Sequence, residues 1–177
     1  CNFNLGVILL SYWTAAWSAS AQGPYPYGRE TAQPDLTSVF PNPLQGAYDQ
    51  SFRMIVRPDI WGSETRVRFS NSHGSNSVTF DDVFIGLQDM SSAVLRGTNQ
   101  PVTFSNEQVV KIQRGEYFLS DPVHLGFLSG YNNSILSSKS LAVSFHVCGE
   151  TGPMTYHAKA LQTSYLSAPG TGSLGSS

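Results

Sequence analysis

Leu141-Ala142-Val143-Ser144-Phe145-His146-Val147-Cys148 decides the fold. In an extended chain, successive side chains point to opposite sides. Leu141, Val143, Phe145 and Val147 therefore share one face, and Ala142, Ser144, His146 and Cys148 share the other. A period of two with large apolar residues on one side predicts a strand with that side in a core. Working outward, residues 52–58 and 64–70 are β-branched and aromatic runs joined by Asp59-Ile60-Trp61-Gly62-Ser63, a loop of hairpin length containing a glycine. Asn71-Ser72-His73-Gly74-Ser75-Asn76 breaks the chain before a further run at 78–88. Shorter strands are expected at 93–95, 102–104, 109–112 and 117–119, and a last pair at 154–157 and 162–166. No stretch of ten or more residues carries a capped helical stripe. The expected fold is all-β: an antiparallel β-sandwich, jelly-roll-like, with a long N-terminal loop and a flexible C-terminal linker.

The 177 residues suit one domain, and a domain of that size buries roughly 70% of its unfolded surface. Residues 51–166 form the predicted sandwich. Residues 21–50, rich in Pro, Gly and Tyr, read as a long loop packed on it, with Tyr25, Tyr27 and Phe40 as anchors. Residues 167–177 read as a linker. Residues 1–20 have two readings. Gly6 to Trp17 followed by Ala19-Ser20-Ala21 resembles a leader core and cleavage site without a positive n-region. Alternatively, Tyr12 to Ser18 is a mature buried strand, the preferred reading. The apolar run is too short and too interrupted to span a bilayer.

Charged residues make up only 12% of the chain and the net charge is -2, so no basic face for nucleic acid is expected. Arg66 and Arg68 alternate with Val67 and Phe69, the pattern of a strand with one wet face. Cys1 and Cys148 allow one disulfide, with two unpaired thiols slightly favoured. Asn132-Asn133-Ser134 is a glycosylation sequon.

A serine hydrolase needs a nucleophile on a sharp turn and a base oriented by a third group. The chain holds no Gly-Asp-Ser and no Gly-x-Ser-x-Gly; Gly172-Ser173-Leu174-Gly175 falls short of the latter. His73, His124, His146 and His157 form no i, i+4 pair and neither cysteine belongs to a Cys-x-x-Cys unit, so no metal and no cofactor are expected. Asp81 and Asp82 are adjacent, and on a regular strand they would face opposite sides. No catalytic residue is assigned. Trp61, Tyr156, His157, Tyr25 and Tyr27 are candidates for contact with a substrate, such as a carbohydrate or an ester, or with a neighbouring domain.

Several runs, in order, carry a resemblance. They are Trp13-x-x-x-Trp17; Asp49-Gln50-Ser51-Phe52-Arg53-Met54-Ile55-Val56-Arg57; Thr65-Arg66-Val67-Arg68-Phe69-Ser70-Asn71-Ser72-His73-Gly74; Pro101-Val102-Thr103-Phe104; Leu119-Ser120-Asp121-Pro122-Val123; Leu141-Ala142-Val143-Ser144-Phe145; and the run from Gly152-Pro153-Met154-Thr155-Tyr156-His157 to Tyr165. Together they resemble the N-terminal β-domain of bacterial SGNH (GDSL-type) hydrolases over nearly the whole chain. The resemblance implies a secreted, periplasmic or cell-surface protein whose α/β catalytic domain, opening with a Gly-Asp-Ser block, follows the linker. It carries no catalytic residue onto this chain, and Cys148 departs from the small residue usual at its position in that family. The expected function is that of an accessory domain of a carboxylester hydrolase, or else of a free-standing module that binds carbohydrate or a surface polymer.

Overall fold

The computed structural model describes residues 12–27, 35–157 and 161–174. Twelve strands run through them: β1 Gln22–Tyr25, β2 Tyr48–Val56, β3 Glu64–Thr65, β4 Arg68–Ser70, β5 Val78–Leu87, β6 Gln100–Pro101, β7 Val110–Ile112, β8 Tyr117–Leu119, β9 Val123–His124, β10 Leu141–Glu150, β11 Met154–Tyr156 and β12 Tyr165–Leu166. The one α-helix among the described residues, α1 Asn133–Leu136, is a single turn. All strand pairings are antiparallel. The protein is an all-β sandwich, as the period of two around Phe145 predicts.

The main sheet has six strands, ordered β12-β2-β10-β5-β6 with β7 also on β5. The second layer is formed by the β3–β9 and β4–β8 ladders. These two ladders are one interrupted antiparallel pair, its strands separated in sequence by β5, β6 and β7. Between them Ser120 N–H donates to Val67 O at 2.8 Å, and the fully buried Ser120 hydroxyl accepts from Val67 N–H at 2.9 Å.

Phe69 of β4 joins the layers. Its ring lies 4.7 Å from Phe80 on β5, 5.1 Å from Phe145 on β10 and 5.8 Å from Phe104, while Phe52 of β2 stacks on Phe145 at 5.2 Å. Offset and edge-to-face rings at these separations add about 0.5–1.5 kcal/mol per pair beyond area burial. Ile85, Leu87, Val102 and Ile112 complete the buried centre, each worth about 1.5–3 kcal/mol of transfer free energy.

Part of the outer face of the main sheet is covered as well. A Cβ on Gly86 would stand 2.6 Å from Val94 Cγ1, so only glycine admits the 94–99 segment this close. Thr98, buried, donates to Leu95 O and accepts from Leu87 N–H.

The strands expected at 93–95 and 102–104 are reduced to single bridges at Val94 and Phe104, and the runs expected as a hairpin at 52–58 and 64–70 pair with other strands instead of each other. Three larger segments also differ from the sequence expectation. Residues 12–20 form no strand; Tyr12, Trp13 and Trp17 are exposed, and the segment meets the domain through Asp59 N–H on Ala16 O at 2.8 Å and Arg66 over the Trp13 ring. Aromatic richness suggests a strand, but without a ladder partner the backbone stays extended and solvated. Residues 1–11, with Cys1, lie outside the described residues. The stretch 21–50 is less loop-like than its Pro and Gly content implies, since it holds β1 and the start of β2; Tyr25 and Phe40 are buried in it as anchors. From 167 to 174 the chain, expected as a flexible linker, runs along β2. Ser167, Gly170 and Gly172 N–H donate to Ser51, Tyr48 and Asp49 carbonyls, and Leu174 N–H donates to Ser51 Oγ. Small residues let the tail approach an otherwise open sheet surface.

Candidate functional site

β10 carries Ser144, His146 and Cys148 on its outer side, flanked by β2 and β5. Register places His146 opposite Ser51 of β2 and opposite Asp81 of β5. The pairing then slips, because Ser144 faces Phe84 and two residues of β10 span three of β5. Asp82 absorbs the extra residue at φ 48°. Such a bulge re-aims side chains beside it. A second slip between Val147 and Glu150 has Gly149 at φ 66°, with Asp49 of β2 at φ 46° nearby.

The two irregularities gather four polar side chains. His146 Nδ1 lies 2.6 Å from Asp81 Oδ1, and its Nε2 lies 2.9 Å from Asp49 Oδ1. Cys148 Sγ donates to Asp81 Oδ2 at 3.0 Å and stands 3.7 Å from His146 Nδ1. The imidazole is buried, whereas the side chains of Asp81 and Asp49 remain 30% and 41% exposed.

Cys148, His146 and Asp49 are superficially a thiol, a base and its orienting acid. The geometry works against nucleophilic chemistry. Asp81 stands between thiol and ring, holding the Sγ proton, and burial together with the Asp81 and Asp49 carboxylates pushes the thiol up to about 12. A nucleophilic cysteine needs the opposite shift. The hydroxyl opposite His146 is also engaged: Ser51 Oγ donates to Gly172 O at 2.9 Å and accepts from Leu174 N–H. Asp82 serves the tail through Ser173 Oγ.

The residues singled out from sequence lie elsewhere. Tyr25 is buried and meets Tyr156 edge-on at 6.2 Å, so both serve β1–β11 packing. Tyr27 is exposed. Trp61 lines a cavity of about 320 Å³ with His124, Leu125, Tyr131 and Asn133, and its buried Nε1 has no protein partner. His157 Nδ1 is likewise buried without a partner. Cys148 is a free thiol. Sequence reasoning put His146 and Cys148 on one face but missed the cluster, because the alternation of a regular strand hides the Asp82 bulge and nothing in the sequence pairs β5 with β10.

No known protein-family model matches the chain. No curated protein matches it either. Among the described residues no helix is long and apolar enough to cross a membrane.

Proposed function

We propose that the chain is the non-catalytic accessory β-sandwich of a secreted SGNH-family carboxylester hydrolase, shaping or supporting the active site of a C-terminal α/β catalytic domain. The ordered runs from Trp13 to Tyr165 suggest the family. One observation favours a covering domain. β8 leaves Tyr117 and Leu119 exposed on one side, at 62% and 39%, while Phe118 on the other side leans on Phe104 and is still 37% exposed. Contiguous apolar surface of this kind marks contact with another surface.

The test is an assay against short-chain nitrophenyl esters, with this polypeptide alone and after adding back a downstream SGNH catalytic segment. No turnover is expected from the chain alone, and Leu119→Glu should weaken its association with the catalytic segment. Turnover by the chain alone, or a coding region without a Gly-Asp-Ser block, refutes the proposal.

A second reading rests on Trp61 and Tyr131 sharing one cavity. A carbohydrate-binding module would place a sugar ring there. Tryptophan fluorescence quenched by an oligosaccharide in the native chain, and not in Trp61→Ala, would favour that reading.

A further inference from the structure

We propose that Asp81, His146 and Cys148 bind a divalent transition metal of the zinc class through a carboxylate oxygen, Nδ1 and Sγ, with Asp49 orienting the ring. The site is independent of the accessory-domain reading.

The three donor atoms lie within 4.8 Å of one another. Zinc bonds of about 2.3 Å to sulfur and about 2.0–2.1 Å to nitrogen, at a tetrahedral angle, separate the two ligands by roughly 3.6 Å. Cys148 Sγ and His146 Nδ1 are 3.7 Å apart. The Asp81 oxygens, at 2.6 Å from Nδ1 and 3.0 Å from Sγ, are closer than the roughly 3.3–3.5 Å a shared metal requires. The carboxylate must therefore withdraw by roughly 0.7–0.9 Å from Nδ1 and less from Sγ, a movement open to a partly exposed side chain.

The donor set selects the metal. A thiolate and an imidazole disfavour calcium and magnesium, which take oxygen ligands, and favour zinc or its cobalt(II) substitute. Asp49 supplies what metal-bound histidines generally have, a carboxylate accepting from the distal ring N–H, here at 2.9 Å. Because Asp49 occupies Nε2, on the far side of the ring from Nδ1, it acts as a positioning residue and not as a ligand. The exposed edges of Asp81 and Asp49 leave the site an entry path and a solvent-facing position. Binding is an exchange without oxidation or reduction: the metal takes the place of the Sγ proton and of any proton on Nδ1, and what it displaces leaves to solvent.

The experiment is a titration of the reduced 177-residue chain with cobalt(II). The expected result is one equivalent bound, with a thiolate-to-cobalt charge-transfer band and ligand-field bands of four-coordinate strength, all displaced by zinc. Cys1→Ser should leave the spectrum intact and Cys148→Ser should abolish the charge-transfer band. Asp49→Asn should keep the band while weakening affinity by about 10- to 100-fold. In the unmutated protein, over an incubation long enough for the metal-free thiol to label, zinc should protect Cys148 from alkylation, read by peptide mass, which requires no variant to fold. Absence of the band at one equivalent, its survival in Cys148→Ser, its loss in Cys1→Ser, or unchanged alkylation in zinc each overturns the proposal.

Discussion

Replacing Phe69 tests whether one aromatic box joins the two layers. Its ring is buried between Phe80, Phe145 and Phe104, at 4.7, 5.1 and 5.8 Å, on elements that cannot all close on a hole at once. Core Phe→Ala changes cost about 3–5 kcal/mol, and the lost ring pairs place Phe69→Ala near about 4 kcal/mol. With a urea slope of about 2 kcal/mol/M, the unfolding midpoint should fall by about 2 M. Phe69→Leu keeps most of the volume and should cost only about 1 kcal/mol. Phe118→Ala removes a partly exposed ring whose aromatic neighbour is Phe104 at 6.0 Å, and should cost no more than about 1 kcal/mol. Urea unfolding followed by far-ultraviolet circular dichroism separates the three variants. Equal shifts for Phe69→Ala and Phe118→Ala, or for Phe69→Ala and Phe69→Leu, would refute the idea that this box couples the sheets.

Three further outcomes follow from single groups. Ser120→Ala leaves the Val67 N–H buried without its hydroxyl acceptor, so a loss of about 1–3 kcal/mol and faster amide exchange at Val67 are expected. Asp121 accepts first from Asn106 N–H and Thr103 Oγ1, and also from Ser105 N–H, which holds its carboxyl below the usual range. Its contribution is therefore present above the unfolded-state value and lost as pH falls through the lower folded one; the Ser105 and Asn106 amide shifts should titrate below an ordinary aspartate, and Asp121→Asn should abolish that titration. The Cys148 thiol is raised, chiefly by burial, from 9.0 to about 12, so the folded chain keeps this proton longer. Its contribution is full below the unfolded value and fades between the two; alkylation of Cys148 in chelator-treated protein should stay slow until well above pH 9.0, and rapid labelling near neutrality would contradict the geometry.

The fold was largely legible because local pattern sets it. Leu141, Val143 and Val147 are buried on the side the alternation assigns, and Phe145 joins the ring cluster. Arg68 projects outward while Phe69 points in, as their alternation predicts. The candidate site was less legible, for two physical reasons. Its members come from β2, β5 and β10, and non-local pairing leaves no trace in spacing. Its aim also depends on two backbone slips, at Asp82 and Gly149, that defeat the counting by twos on which strand reading rests. Trp13 and Trp17 mislead in the other direction: aromatic content favours strands only where a neighbouring strand is available to pair.

The Asp82 bulge has a consequence for how this domain tolerates changes of length. Val78 and Phe80 face inward before it, and Val83, Ile85 and Leu87 face inward after it, so β5 consists of two half-strands in phase with the same interior but offset by one residue. Position 82 is therefore the surplus letter in the strand. Its deletion would restore an unbroken alternation with every apolar side chain keeping its side, whereas a deletion at Phe84 would realign the halves only by turning Asp82 inward and Val83 outward.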